Sequence, residues 1–459
     1  MSGVTLAVVG GGISGLAAAW EGVRRGADVV VLEAASRPGG VLVTSPLGDL
    51  AVDEAADAFL ARVPEAVELC EELGLAGDLV SPATGTAYVW VEGALRRIPP
   101  EQLLGVPTDL EAARAAGILS PGGVARARED LTRPDDRPDG DEAVGALVRR
   151  RLGDEVLDRL VAPLVGGIYA GDCDALSLRT ATPQLAAARD RGPSLLRAAA
   201  ELRSEALAAA AAAGDRPVFL APRGGVGSLA AALADALGPA VRLGTPVAGL
   251  ARDGARWRLE PAGVTADAVV LAVPAHRAAP LLAPHAPGAA ATLGAIGHAT
   301  VALVGLVVPA AGVGRHLDGS GFLVPRSAGR LVTACSWASS KWAHLAGDGS
   351  SVVLRASVGH AGDDRGATLD DESLLAGVLA DLRDLMGLRG KPTATRISRW
   401  PLSFPQPRPG HLEAIDALER DLAARTPRLA ATGAWARGVG VPACIRGGRA
   451  AAARVLAEA

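Results

Sequence analysis

Gly10, Gly12 and Gly15 stand in G-x-G-x-x-G spacing, and Glu33 follows eighteen positions after Gly15. Glycines in this order allow a tight turn and bring backbone N–H groups close to a pyrophosphate. An acid at this offset accepts hydrogen bonds from a ribose diol. The run Gly10, Gly11, Gly12, Ile13, Ser14, Gly15 therefore reads as a phosphate-binding turn. Glu33 favours a free 2′-hydroxyl over a 2′-phosphate, so FAD or NAD rather than NADP. For these residues to meet, the chain must fold locally as β-α-β. The apolar run 4–9 reads as a buried parallel strand, residues 16–25 as a helix stopped by Gly26, and residues 29–32 as a second strand. Free N–H groups at the helix start face the phosphates.

The composition narrows the function classes. The chain has 459 residues, 49% of them hydrophobic, enough for two or more domains. A net charge of −4 and a pI near 6.0 leave no basic footprint for nucleic acid. Cys70, Cys173, Cys335 and Cys444 are far apart and show no metal-ligand spacing, as expected of a reduced, cytoplasmic protein. The longest apolar stretch, 299–313, is broken by Gly305 and Pro309 and is too short for a membrane span. No signal peptide is expected, and peripheral membrane association stays open. Only two lysines, Lys341 and Lys391, occur among many arginines.

The remaining elements alternate in type. A helix is expected over 64–73 and a hairpin over 87–98, turning at Glu92-Gly93. Mostly helical signal runs from 99 to 216, broken by a polar, Pro-rich stretch at 132–140 that reads as a mobile loop, and ends in an Ala-rich helix over 194–213. Short strands are expected at 218–221, 241–247, 256–259 and 268–273, with a helix over 228–237 capped by Ser228. Strands at 299–308, 331–336 and 351–358 suggest a second sheet. A helix over 373–386, a strand at 429–432 and a last helix over 447–458 close the chain. The fold class is α/β, α+β overall: a Rossmann-like dinucleotide domain assembled from 1–80, 216–275 and 425–459. A hairpin plus mainly helical subdomain occupies 81–215, and a substrate domain with the second sheet occupies 276–424.

Several segments carry a family resemblance. Glu33-Ala34-Ala35-Ser36-Arg37-Pro38-Gly39-Gly40-Val41 resembles the E-A-x-x-R-x-G-G extension of the amine oxidase and phytoene desaturase superfamily, whose members bind FAD. Residues 163–178 (PLVGGIYAGDCDALSL) resemble the signature of protoporphyrinogen and coproporphyrinogen oxidases. So do 219–229, 266–274, 400–411 (WPLSFPQPRPGH) and 431–445 (ATGAWARGVGVPACI). The family's Gly-Pro-Asp-Ser-Phe becomes Ala55-Ala56-Asp57-Ala58-Phe59 here. Pro407 replaces an aromatic, as does His298.

The resemblance implies FAD held non-covalently by the 10–15 turn, Glu33, Ala34, Arg37, Gly40 and Val41. It adds Ala55, Ala56, Asp57 and Ala58, with Val247 at the adenine and Trp400, Gly433, Val439, Gly440 and Val441 near the flavin. It implies a porphyrinogen substrate lined by Leu164, Gly167, Ile168 and Tyr169, with Arg62 and His298 as further contacts. Molecular oxygen would be the acceptor, and other haem-pathway enzymes the partners. The expected reaction is oxidation of coproporphyrinogen III to coproporphyrin III with release of peroxide; protoporphyrinogen IX is the alternative substrate. A flavin amine oxidase or a non-catalytic flavin and porphyrin carrier are the remaining readings. No metal cluster, Ser-His-Asp order or paired carboxylate stands out. A donor whose product gains aromaticity needs little acid–base help, so no catalytic side chain is assigned.

Overall fold

The computed structural model describes residues 3–212, 214 and 217–457. Its centre is a five-stranded parallel sheet in the order Val241–Arg242, Asp28–Leu32, Thr5–Val9, Ala268–Leu271, Leu429–Ala431. Two of the three inner strands, Thr5–Val9 and Ala268–Leu271, are almost wholly apolar on both faces because both faces are covered. Leu6, Val8, Val31 and Val270 pack under the first helix, Ile13–Arg24, and the last, Val441–Ala457. Ala7, Val9, Leu32 and Leu271 pack on the opposite side against Trp257, Leu281 and Ile415.

Small residues set how closely the two covering helices approach. A Cβ on Gly448 would lie 2.0 Å from the Ser14 carbonyl oxygen, and one on Gly15 would lie 1.9 Å from that of Gly10. The chain's two ends are thereby locked together over the carboxyl edge of the sheet.

A seven-stranded sheet follows the order Ala394–Gln406, Gly297–Pro309, Ser351–Val358, Val332–Trp337, Gly321–Leu323, Tyr88–Val91, Ala94–Arg97. The hairpin expected alongside the helical stretch belongs instead to this sheet, through a parallel pairing of Phe322 with Tyr88. A helical layer forms its own core around Leu147, Val148, Val161, Leu185 and Ala199. Just before the helix Ala162–Tyr169, residues Leu157–Val161 wind with π-type spacing.

Several expectations shift. The first helix begins at Ile13 rather than Leu16, so the glycine turn is its start. The last begins at Val441, six residues earlier than expected, because a proline in the first turn needs no amide donor. Ser228 is no cap: the helix is Gly227–Leu237, and the Ser228 hydroxyl donates to the Gly225 carbonyl. The strand expected over 241–247 shrinks to Val241–Arg242. The 132–140 stretch is irregular but bolted down: Arg151 donates to the Pro134 carbonyl, and Arg137 to those of Arg189 and Asp190. Ala213 and Glu458, the expected ends of two helices, lie outside the described residues.

The helix–helix contact yields a test. Gly448→Ala lowers stability by about 1–3 kcal/mol through overpacking. Gly192→Ala, with nothing within 4 Å of the new methyl group, changes it by under about 0.5 kcal/mol. Chemical denaturation of both variants checks the difference.

Candidate active site

The turn Gly10–Gly15 leaves the strand Thr5–Val9 and enters the first helix, whose N-cap residue, Gly12, supplies no side chain to bond its free amides. Gly39 closes over it, donating its amide to the Gly11 carbonyl at 2.8 Å. Arg37, exposed, donates to the Gly40 and Pro38 carbonyls and so fixes the shape of this second loop. Glu33 is half-buried at the end of the second strand. One carboxylate oxygen accepts the Gly11 amide at 2.5 Å and the other the Ala35 amide at 2.7 Å. Ala34 and Val41 are exposed on the same rim. Val247 follows a segment whose Gly244 and Thr245 amides donate to the Ala35 and Glu33 carbonyls, which keeps it beside the acid.

The C-terminal residues complete the rim. The indole N–H of Trp435 donates to the Val273 carbonyl and ties the turn after Gly433 to the strand Ala268–Leu271. Val439 and Gly440 precede the last helix and Val441 starts it, giving a second helix N-terminus at the same edge. Such a terminus favours negative charge. Cys444, in that helix's first turn, is buried, and burial pushes its thiol up to about 11 against a bond from Ser14. A protonated thiol is the unreactive form, which fits a flavin held without a covalent bond. The contact with Cys444 turns the Ser14 side chain towards the last helix, leaving its amide to the cradle.

The segment 54–58 is suspended from the second sheet. The Trp400 indole N–H donates to the Glu54 carbonyl at 2.8 Å, so Trp400 reaches the rim through this loop. Burial would raise the Asp57 pKa. Lys341 and Arg355 outweigh it and hold the carboxyl well below its ordinary range. The Asp57 side chain therefore faces the sheet; Ala56 is exposed, Ala55 is half-buried and Ala58 packs against the core under the first helix.

The expected substrate residues divide. Gly167 and Ile168 are exposed near the end of the helix Ala162–Tyr169, and Leu164 is partly covered. Tyr169 has its ring buried in the helical core, and its hydroxyl donates to the Thr180 carbonyl. Arg62 is exposed, next to Ala61, whose amide donates to the Val218 carbonyl. His298 is half-buried, edge-on to His276 at 5.1 Å. Burial, then His276, lowers its pKa, so the ring is neutral at pH 7.

Gln406 was overlooked in sequence. Its side-chain amide donates to the Tyr169 carbonyl at 2.9 Å, and the Ala361 amide donates to that of Ala170 at 2.7 Å. Together they clamp the end of the exposed helix to the second sheet. Its position within the quoted 400–411 segment was the available signal.

The donor set fits FAD. A Cβ on Gly12 would meet only the Gly40 Cα, 4.0 Å away, so the turn and the Gly39–Gly40 loop lie in contact and leave bare backbone, with no side chain, at the helix start. Free helix amides, a ribose-facing acid and a second helix N-terminus surround it. Fold and site together define an FAD-dependent oxidoreductase. The chain belongs to the family described as flavin containing amine oxidoreductase, whose model matches residues 13–456. It is 35% identical to the coproporphyrinogen III oxidase of Bacillus subtilis, over 98% of this chain and 97% of that one. It is 36% identical to the coproporphyrinogen III oxidase of Propionibacterium freudenreichii subsp. freudenreichii, over 98% and 90%. A protein from Exiguobacterium, solved as a candidate protoporphyrinogen oxidase, superposes with a TM-score of 0.88 at 31% identity, covering 100% of both chains.

Gly12→Ala separates cradle from fold. The added methyl meets nothing closer than 4.0 Å, so the melting temperature of the apoprotein stays unchanged. FAD affinity falls by about tenfold or more, because the methyl occupies the phosphate space. Apoprotein titration with FAD measures it.

Proposed function

We propose that this protein oxidises coproporphyrinogen III to coproporphyrin III in haem biosynthesis, in the cytoplasm, with FAD as immediate acceptor and molecular oxygen as final acceptor. The observation that carries this reading is the near-full-length similarity to two coproporphyrinogen III oxidases, joined to a backbone cradle suited to FAD. Each macrocycle loses six electrons and six protons, and three molecules of oxygen become three of hydrogen peroxide. FAD supplies the two-electron acceptor chemistry.

The chain's own residues bind, orient and shield. The amides of Gly12 to Gly15 take the pyrophosphate, and Glu33, already oriented by two backbone donors, takes the ribose. Val439, Gly440 and Val441 present the second helix N-terminus to the flavin, where it favours negative charge. Gly167 and Ile168 offer backbone access and an apolar face for a flat macrocycle, with Leu164 behind them. His298 stays neutral and contributes shape. The membrane question narrows only in part: no helix among the described residues is long and apolar enough to cross a membrane.

Protoporphyrinogen IX is the second reading, favoured by the name of the Exiguobacterium structure. Aerobic turnover on each porphyrinogen, followed by porphyrin fluorescence and peroxide, decides between them. The expected result is a preference of about tenfold or more for the four-propionate substrate, as charged anchoring groups discriminate strongly. Preference for protoporphyrinogen moves the protein to the other reading, and inactivity on both removes the porphyrinogen assignment.

A further inference from the structure

The second sheet carries an ion cluster that the reaction itself does not call for. Lys341 Nζ lies 2.9 Å from one oxygen of Asp57 and 3.0 Å from the other. Arg355 Nη1 stands 2.9 Å from the same carboxylate, and the Trp342 indole N–H at 3.3 Å. The Lys341 and Asp57 side chains are only 19% and 17% exposed, and Arg355 only 5%. Arg355 also donates its other terminal nitrogen to the Ala55 carbonyl, and its Nε is buried without a partner. These groups come from three separated stretches: the loop after the strand Leu50–Asp53, the strand Ser351–Val358 and the short helix Ala338–Lys341.

This loop is also tied to the nucleotide cradle. The Glu54 amide donates to the Val43 carbonyl, just beyond the Gly39–Gly40 loop. Asp53 accepts the Val226 amide ahead of the helix Gly227–Leu237, and Ala230 of that helix would touch a Cβ on Gly39 at 3.2 Å. Trp400 holds the Glu54 carbonyl from the other side. A buried ion cluster is costly to desolvate, so a bare packing role is an inefficient use of it.

We infer that Asp57, Lys341 and Arg355 form a positioning network that presses the 54–58 loop against the flavin and sets the charge behind it. The inference rests on FAD binding and is independent of which porphyrinogen is oxidised. Nearby fixed charge tunes a flavin's electronics: positive charge favours the reduced form, negative charge the oxidised form. Removing the cluster's anion and removing its cation must therefore move the flavin potential in opposite directions.

The test uses the FAD-loaded full chain, with Lys341→Met, Lys341→Arg and Asp57→Asn. The readouts are the flavin midpoint potential, the FAD dissociation constant and the melting temperature. Lys341→Met lowers the potential and weakens FAD binding by about tenfold, the value of one lost charged hydrogen bond. Asp57→Asn raises the potential, and Lys341→Arg restores both quantities towards wild type. If Asp57→Asn does not fold, Lys341→Met and its rescue by arginine still decide. A folded Lys341→Met protein with unchanged potential and FAD affinity overturns the proposal, even if its melting temperature falls. Shifts of the same sign in the Asn and Met variants also overturn it. Expected flavin shifts in the variants, together with a wild-type FAD-loaded chain that oxidises neither porphyrinogen, would instead count against the substrate assignment alone.

Discussion

Close contact between the first and last helices is the constraint on which the rest depends. Gly448 lies where any side chain would strike the Ser14 carbonyl of the first helix, and within the glycine turn itself any side chain on Gly15 would strike the Gly10 carbonyl. These approaches bring the glycine turn and the turn after Gly433 to one edge of the parallel sheet. Two helix N-termini then converge on the same space. Each alone is a weak site for negative charge; with Glu33 beside them they gather anion-favouring amides and one carboxylate at a single edge of the sheet.

The second sheet does more than form a wall. Its long strand Ala394–Gln406 touches both halves of the site. Trp400 holds the Glu54 carbonyl beside the cradle, and Gln406 holds the Tyr169 carbonyl at the end of the exposed helix. Arg396 adds bonds to the carbonyls of Ser45 and Val52 in the hairpin below. One strand thus fixes the spacing between the cofactor rim and the apolar surface of Gly167 and Ile168. A reaction that needs a carbon held against a flavin, with no proton-transfer side chain, depends on that spacing more than on any titrating group.

The cradle was legible in sequence because its chemistry demands fixed spacing: Gly10, Gly12, Gly15 and Glu33 need no knowledge of distant partners. The parallel strands were legible because burial on both faces leaves an apolar run. The start of the last helix was not, since Gly438, Gly440 and Pro442 read as a turn although Pro442 is tolerated in a first helical turn. The burial of the Tyr169 ring was not legible, because a motif gives residue type without the direction of the ring. The Asp57 cluster was illegible because its partners lie nearly three hundred residues away. The scarcity of lysine around Lys341 was its one trace. Arg62 was assigned by analogy, and it follows the short strand Phe59–Leu60, which pairs with Phe219–Pro222.

Anaerobic mixing of the FAD-loaded protein with coproporphyrinogen III tests most directly whether cradle and exposed helix form one reaction centre. The account predicts loss of the oxidised-flavin absorbance without oxygen, with flavin absorbance and porphyrin fluorescence returning together when oxygen is admitted. A flavin that stays oxidised in the presence of excess substrate, in protein shown to hold FAD, would contradict it.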